Sequence, residues 1–442
     1  MNTESLKNET ESDPTSLPAG ALKQRARELE DWVEGHFLDS RGIVYTYLDG
    51  KTEGPLTDAT FPPGQVPIHL PGTENFATAE WHNYENCGMT TSAYMLAMLF
   101  KNAVKPDATA MARVRRCFEC IKYMYDMGKQ LEEGFFPKIY GNRFSEQTST
   151  DQVLYVMLAL DEFHRVASES EKPLIDRMIV NLIGFWMKRG YRYKYFWHED
   201  MLWPLGRFTP LLLMAYKHGG GEKFKTEYDR LLAEGVNNAP VERQLARKIS
   251  GEWPAVPYEI KHNAWLLGEL EGAVSMDTME LDYLLRNDPQ NTWAPRWKQS
   301  IKEIWDEGAL TLAPDGTNYV HVLVDMKTGK PRRPEPEFLR DSYGPTDWIG
   351  FRYVTGGRSG DTAFYARSAV QADQHLHDAE MRRIARFIVH SLDKEKLHSY
   401  HDPERLLPEL RHRTELYSGD GVTNWLWAYW QGRVQGIFTA DE

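Results

Sequence analysis

Three acids in this chain stand immediately ahead of apolar runs. Glu85 lies in Tyr84-Glu85-Asn86-Cys87-Gly88-Met89, Asp151 in Ser149-Thr150-Asp151-Gln152, and Asp420 just before the run from Val422 to Trp430. An acid at the head of an apolar segment is partly desolvated, which favours its protonated form. A protonated carboxyl working beside an ionised one is what acid–base cleavage of a glycosidic bond needs. Each acid also has a structural reading. Asp151 and Asp420 could cap a helix, and Glu85 could simply complement a helix dipole.

Polar and aromatic side chains recur at equivalent places along the chain. They give the candidate binding residues Trp81, His198, Trp203, Arg207, His262, Tyr343, Trp348, Arg352, Arg358, Asn424 and Trp425. Trp offers a flat face for the apolar side of a sugar ring. Arg suits a carboxylate. His198-Glu199-Asp200 lacks the H-E-x-x-H spacing of a zinc site, so no metal and no cofactor is expected. Gly219-Gly220-Gly221 reads as a helix stop, not a phosphate loop. His375 and His377 read as surface residues. Cys117 and Cys120, one turn apart in a helical pattern, read as buried small residues, and three cysteines make no disulfide framework.

The elements that must position these residues alternate between two kinds of helix. Segments 21–37, 107–127, 172–189, 222–234, 290–307 and 378–392 are apolar on one face only. Segments 88–101, 150–166, 205–217, 258–272, 360–375 and 421–431 are apolar nearly all round. Six helices buried on all sides, alternating with six that keep one side in water, predict an all-α fold, an (α/α)6 toroid of six inner and six outer helices. The stretch 309–357 alternates in Tyr319-Val320-His321-Val322-Leu323-Val324 and carries turn signals, so a small β-hairpin insertion is expected there. In such a ring the inner helix N-termini share one mouth, and the candidate residues fall at that end.

Composition narrows the partners. Lys plus Arg is 52 against 64 Asp plus Glu, a formal charge of −12, and no dense basic face appears, which excludes nucleic acid. Arg113-Val114-Arg115-Arg116 reads as solvated surface. The 14 Trp and 22 Tyr suit a carbohydrate partner. No apolar run reaches the length of a membrane span. Residues 1–20 read as a flexible tail without a signal sequence, and 21–442 as one catalytic domain. The expected location is cytoplasmic, or periplasmic or secreted if a leader has been removed.

On Tyr84 to Met89 and Ser149 to Gln152, the chain resembles the six-hairpin glycosidases. It is similar in particular to unsaturated glucuronyl and rhamnogalacturonyl hydrolases and related β-glucuronidase-like families. The resemblance spans roughly residues 20–435. It implies a glycoside hydrolase acting on uronic-acid-containing oligosaccharides, with Asp151 as proton donor and Glu85 or Asp420 as base or nucleophile. Arg207, Arg352 and Arg358 would meet the uronate. Glu85 departs from the Asp usual in the unsaturated-uronyl group, which leaves hydration of a C4–C5 double bond open against ordinary glycoside cleavage. A polysaccharide lyase using Tyr343, Tyr258, His262 or Asn263 remains an alternative. So do a sugar epimerase and a non-catalytic glycan-binding protein of the same fold.

Overall fold

The computed structural model describes residues 17–60, 78–195, 198–234, 273–309, 312, 321–325, 331–332, 348–352, 362–399 and 416–442. The outer helices are α1 (Ala21–Trp32), α4 (Ala108–Gly128), α6 (Lys172–Lys188), α8 (Glu222–Ala233), α10 (Ala294–Gly308) and α12 (Ala379–Ser391). The inner helices are α3 (Cys87–Val104), α5 (Thr150–His164), α7 (Phe208–Ala215), α9 (Thr278–Asn287), α11 (Thr362–Leu376) and α13 (Gly419–Val434). A short α2 (Thr78–Tyr84) precedes α3. Each inner helix touches the next, and α13 returns to α3, so the inner layer closes on itself. Each outer helix packs on an inner one. This is the (α/α)6 toroid.

The two layers follow from the residues. On α10 the stripe Trp297, Ile301, Ile304 and Trp305 is out of solvent while Lys298 and Lys302 face water. Burying each of those large side chains contributes about 2 kcal/mol. The inner helix α5 is buried along almost its whole length, from Val153 to Phe163, because neighbours surround it. Helix ends are marked as expected. Asp107 accepts the Ala110 amide at 3.0 Å to start α4, and Gly219 and Gly221, both with positive φ, end one helix before α8 begins.

Arg113 and Arg116 are not solvated surface. Arg113 donates to Glu30 at 2.8 Å and Arg116 to Glu34 at 2.8 and 2.6 Å, tying α4 to α1. Glu30 also accepts from Lys101 on α3 at 2.5 Å and Trp430 on α13 at 3.0 Å. One outer acid thereby fastens the ring where it closes. His375 is likewise an inward residue: its Nε2 is 2.8 Å from the buried Asp282 of α9. His377 is exposed, as expected. Cys117 and Cys120 are buried and free, as expected.

A further buried helix follows the segment expected to form the fourth inner helix. The apolar segment 258–272 is outside the described residues, and the buried helix that touches α7 and α11 is α9, entered through a wider turn at Ala273–Asp277. The expected hairpin is a three-stranded antiparallel sheet of β6 (His321–Asp325), β7 (Pro331–Arg332) and β8 (Trp348–Arg352), in the order β7-β6-β8.

Other short strands were not anticipated. β1 (Tyr47–Asp49) pairs with β10 (Leu416–Ser418), which pairs with β9 (His398–Ser399). β2 (Ile139–Tyr140) pairs with β3 (Arg143–Phe144), and β4 (Arg192–Tyr195) with β5 (His198–Leu202). They sit in the links that lead into inner helices. No helix among the described residues is long and apolar enough to cross a membrane.

Candidate active site

The starts of five inner helices are joined by one arc of polar contacts. Asn86, which precedes α3, donates to Asp420 Oδ2 on α13 at 3.2 Å. Lys138, on the approach to β2, donates to Glu85 Oε1 and to the Glu85 main-chain oxygen, both at 3.0 Å. Gln152 on α5 donates to that same main-chain oxygen at 2.9 Å. Arg207, just before α7, donates to Thr150 Oγ1 at 3.1 Å and to the Asp151 carboxylate. Its Nε donates to Glu280 Oε1 on α9 at 3.0 Å. Asp420, Glu85, Asp151 and Glu280 are thus distributed around one mouth, with Lys138 and Arg207 between them.

Local structure bears on the capping reading for two of these acids. The start of α13 is capped by Ser418, whose Oγ accepts the Gly421 amide at 3.0 Å, so the Asp420 side chain is not the cap. Asp151 lies in the first turn of α5, and its carboxylate is spent on Arg207. Glu85 is held by a lysine whose side chain is only 3% exposed. The three side chains differ in access: 41% exposed for Asp151 and 18% for Glu85, with Asp420 buried. Asp151 is the most open to an incoming molecule.

Glu280 has the most unusual protonation. Burial first, then the neighbouring Asp277, push its carboxyl from an ordinary 4.5 up to about 8, against the pull of Arg207. Near neutral pH it holds a proton while remaining hydrogen-bonded to an arginine. A buried carboxyl raised to about 8 beside an arginine suits proton transfer.

Beneath the mouth lies a second layer. Arg367 of α11, fully buried, donates to Asn424 Oδ1 at 2.8 Å, to the Tyr155 hydroxyl and to the Ser275 main-chain oxygen. Tyr155 also donates to Asn424 Oδ1 at 3.2 Å, and Asn424 Nδ2 donates to the Asp420 main-chain oxygen at 2.9 Å. Asn424, expected to bind substrate, is therefore engaged below Asp420 in tying α5, α11 and α13 together. The Arg367 guanidinium also lies 5.1 Å from the Trp427 ring centroid.

The tryptophans divide. Trp425 is not a sugar platform: it is fully buried, its Nε1 donates to the Val389 main-chain oxygen of α12 at 3.1 Å, and it stacks on Tyr429. It fills the wall between layers. Trp203 is also buried, edge-on to Trp186 of α6, and packs in the same wall. Trp81 is half-buried on α2, beside the approach to Glu85. The backbones of His198, Trp348 and Arg352 lie in β5 and β8. Their side chains, with His262, Tyr343 and Arg358, lie outside the described residues. Asp200 pairs with Arg192 at the surface.

Lys138, Tyr155, Glu280 and Arg367 escaped the sequence reading. For Glu280 a signal existed: Met279-Glu280-Leu281-Asp282-Tyr283-Leu284-Leu285 places two acids inside an apolar run.

No family model and no curated protein matches the chain. Among solved structures it is similar to a D-mannose isomerase, with 10% identity and a TM-score of 0.48 over 94% of this chain and 97% of that one. It is also similar to a sugar epimerase from a ruminal bacterium, with 11% identity and a TM-score of 0.48 over 94% of this chain and 100% of that one.

Proposed function

We propose that the chain is a carbohydrate-processing enzyme, and within that class a glycoside hydrolase acting on uronic-acid-containing oligosaccharides at the mouth of the ring. The observation that carries the reading is the arc Asp420–Asn86, Glu85–Lys138, Asp151–Arg207–Glu280. It supplies carboxyl groups as acid and base and two cations that suit an acidic sugar. A uronate carboxylate arriving at the mouth competes with Asp151 for the Arg207 guanidinium. Asp151, released from that pair, is then free to carry the proton delivered to the substrate. Glu85, steadied by Lys138, or Asp420, steadied by Asn86, activates the water or attacks the anomeric carbon. Trp81 is the remaining described candidate for stacking a sugar ring.

The test is absorbance at the unsaturated-uronate band on lyase-generated disaccharides, with release of reducing ends from saturated glucuronides run alongside. Either activity should fall about 10²- to 10⁴-fold in Asp151→Asn, the range for loss of a general acid. Turnover that survives unchanged in Asp151→Asn removes Asp151 from the chemistry. A gain of absorbance on intact acidic polysaccharide identifies a lyase instead.

A second reading rests on Glu280. A buried carboxyl that titrates near 8 beside an arginine suits reversible proton transfer at a sugar C–H, the chemistry of an epimerase. It is distinguished by solvent deuterium entering the sugar without any new reducing end.

A further inference from the structure

At the end of the ring opposite the mouth, three side chains from three helical elements converge. His164 closes α5, Asp176 lies near the start of α6, and His218 lies in the turn Tyr216–Gly220 that follows α7. His164 Nε2 is 3.0 Å and His218 Nδ1 2.6 Å from the same oxygen, Asp176 Oδ1. The three potential ligand atoms lie within 4.8 Å of one another. The two imidazole planes stand at 90° with their centroids 4.7 Å apart.

The back of this cluster is built as well. His218 Nε2 is 3.0 Å from Oδ1 of the buried Asp161, which also accepts from the Tyr283 hydroxyl at 3.3 Å. A carboxylate behind the distal nitrogen of a histidine fixes its tautomer and leaves the other nitrogen's lone pair facing forward. The nearby cations pair with groups around the three ligands, the backing Asp161 among them. Arg165 holds Asp161 and Glu162, Lys172 holds Glu169, and Lys217 donates to Asn287. Ion pairing alone accounts for His218 as an imidazolium between Asp161 and Asp176. A neutral His164 can donate Nε2–H to the same oxygen, and in that neutral form the same Nε2 is equally suited to ligate a metal. One divalent ion in place of the protons satisfies all three ligands.

We propose that His164, Asp176 and His218 bind a divalent transition-metal ion of the zinc type, with solvent in the fourth position, stapling α5, α6 and the end of α7. Two imidazole nitrogens and a carboxylate oxygen match that ion's preferences. A tetrahedral ion with bonds of about 2.1 Å holds its ligand atoms about 3.4 Å apart, so each imidazole nitrogen moves out from Asp176 Oδ1 by less than about 1 Å from its present 3.0 and 2.6 Å. Access exists, because the His164 and Asp176 side chains are 27% and 37% exposed while His218 is 6% exposed. The site is separate from the mouth, so it stands independently of the proposed reaction.

The experiment is calorimetric titration of chelator-treated full-length protein with Zn²⁺, paired with thermal melts at each Zn²⁺ level. The expected result is one ion per chain, binding at micromolar or tighter affinity, with the melting temperature rising as Zn²⁺ is added. His164→Gln, at a half-exposed helix end, should fold normally and bind about 100-fold more weakly. Asp161→Asn keeps all three ligands and should weaken binding about 10-fold. Absence of binding at 100 µM Zn²⁺, or equal affinity in His164→Gln, overturns the proposal.

Discussion

Arg207 and Glu280 face each other inside the wall of the ring, Nε to Oε1 at 3.0 Å, with side chains only 10% and 4% exposed. Glu280 lies on α9 and Arg207 in the turn that leads into α7, and Arg207 also reaches Asp151 on α5. Removing one partner from such an arrangement strands a buried group. Because Glu280 holds its proton near neutral pH, Arg207→Met strands a neutral carboxyl and should destabilise the protein by about 1–3 kcal/mol. The double variant Arg207→Met with Glu280→Leu should recover part of that loss, because no stranded polar group remains. Chemical denaturation of the four proteins checks this. Additive losses would show that the two side chains are not coupled.

Glu280 also predicts a pH dependence of stability. The native carboxyl titrates near 8 and an unperturbed one near 4.5. Between those values the native state holds a proton that the unfolded chain has released, so stability falls as pH rises through the window. The loss should amount to at most a few kcal/mol and level off above about pH 8. In Glu280→Gln the decline in melting temperature from pH 5 to 8 should flatten. Parallel curves for wild type and variant would count against a raised Glu280.

Two glycines should respond oppositely to alanine. A Cβ on Gly419 would lie 2.2 Å from the Tyr45 main-chain oxygen, and the Gly419 amide donates to the Thr46 oxygen at 2.7 Å. Gly419→Ala should cost about 1–3 kcal/mol and impair turnover, because the next residue is Asp420. Gly184 lies within α6 and has nothing within 4 Å of its Cβ position. Gly184→Ala should stabilise the protein by about 0.5–1 kcal/mol through helix propensity alone. Melting curves and rates on the same preparations test both.

The tryptophans separate packing from binding. Trp425→Ala removes a fully buried side chain and should cost about 3–5 kcal/mol while leaving KM unchanged in whatever folds. Trp81→Ala, half-buried by the mouth, should raise KM several-fold with a smaller change in melting temperature. A KM effect confined to Trp425 would contradict the orientation described.

The ring was legible in the sequence because burial on every side and burial on one side leave different patterns, and these alternate along the chain. The pattern failed where charge disguised burial. Asp277, Glu280 and Asp282 make α9 look solvated, yet Arg207 answers Glu280 while His375 and Arg286 answer Asp282. Those partners lie on other helices or a turn away, invisible to a window of sequence. Apolar Trp265, Leu266 and Leu267 drew the reading to a neighbouring segment that lies outside the described residues. A helix that is apolar all round also hides its facing, so Trp425 and Trp427 looked alike although one turns to the outer layer and the other lies against Arg367. Glu85, Asp151 and Asp420 could be placed at helix starts because helix starts are readable. Lys138 and Arg367 were not, since nothing local marks a cation that will be buried.

Closure of the inner layer by α13 has a consequence for biosynthesis. Asn86 and Asp420 meet across 334 positions of chain. At roughly 5–20 residues per second, the start of α3 leaves the ribosome tens of seconds before its partner does. Throughout that interval α3 lacks the cover that α13 gives its apolar flank in the closed ring. The nascent protein is thus an open horseshoe with a sticky seam, a natural client for chaperones, and its last helix is the one that commits it to the native state.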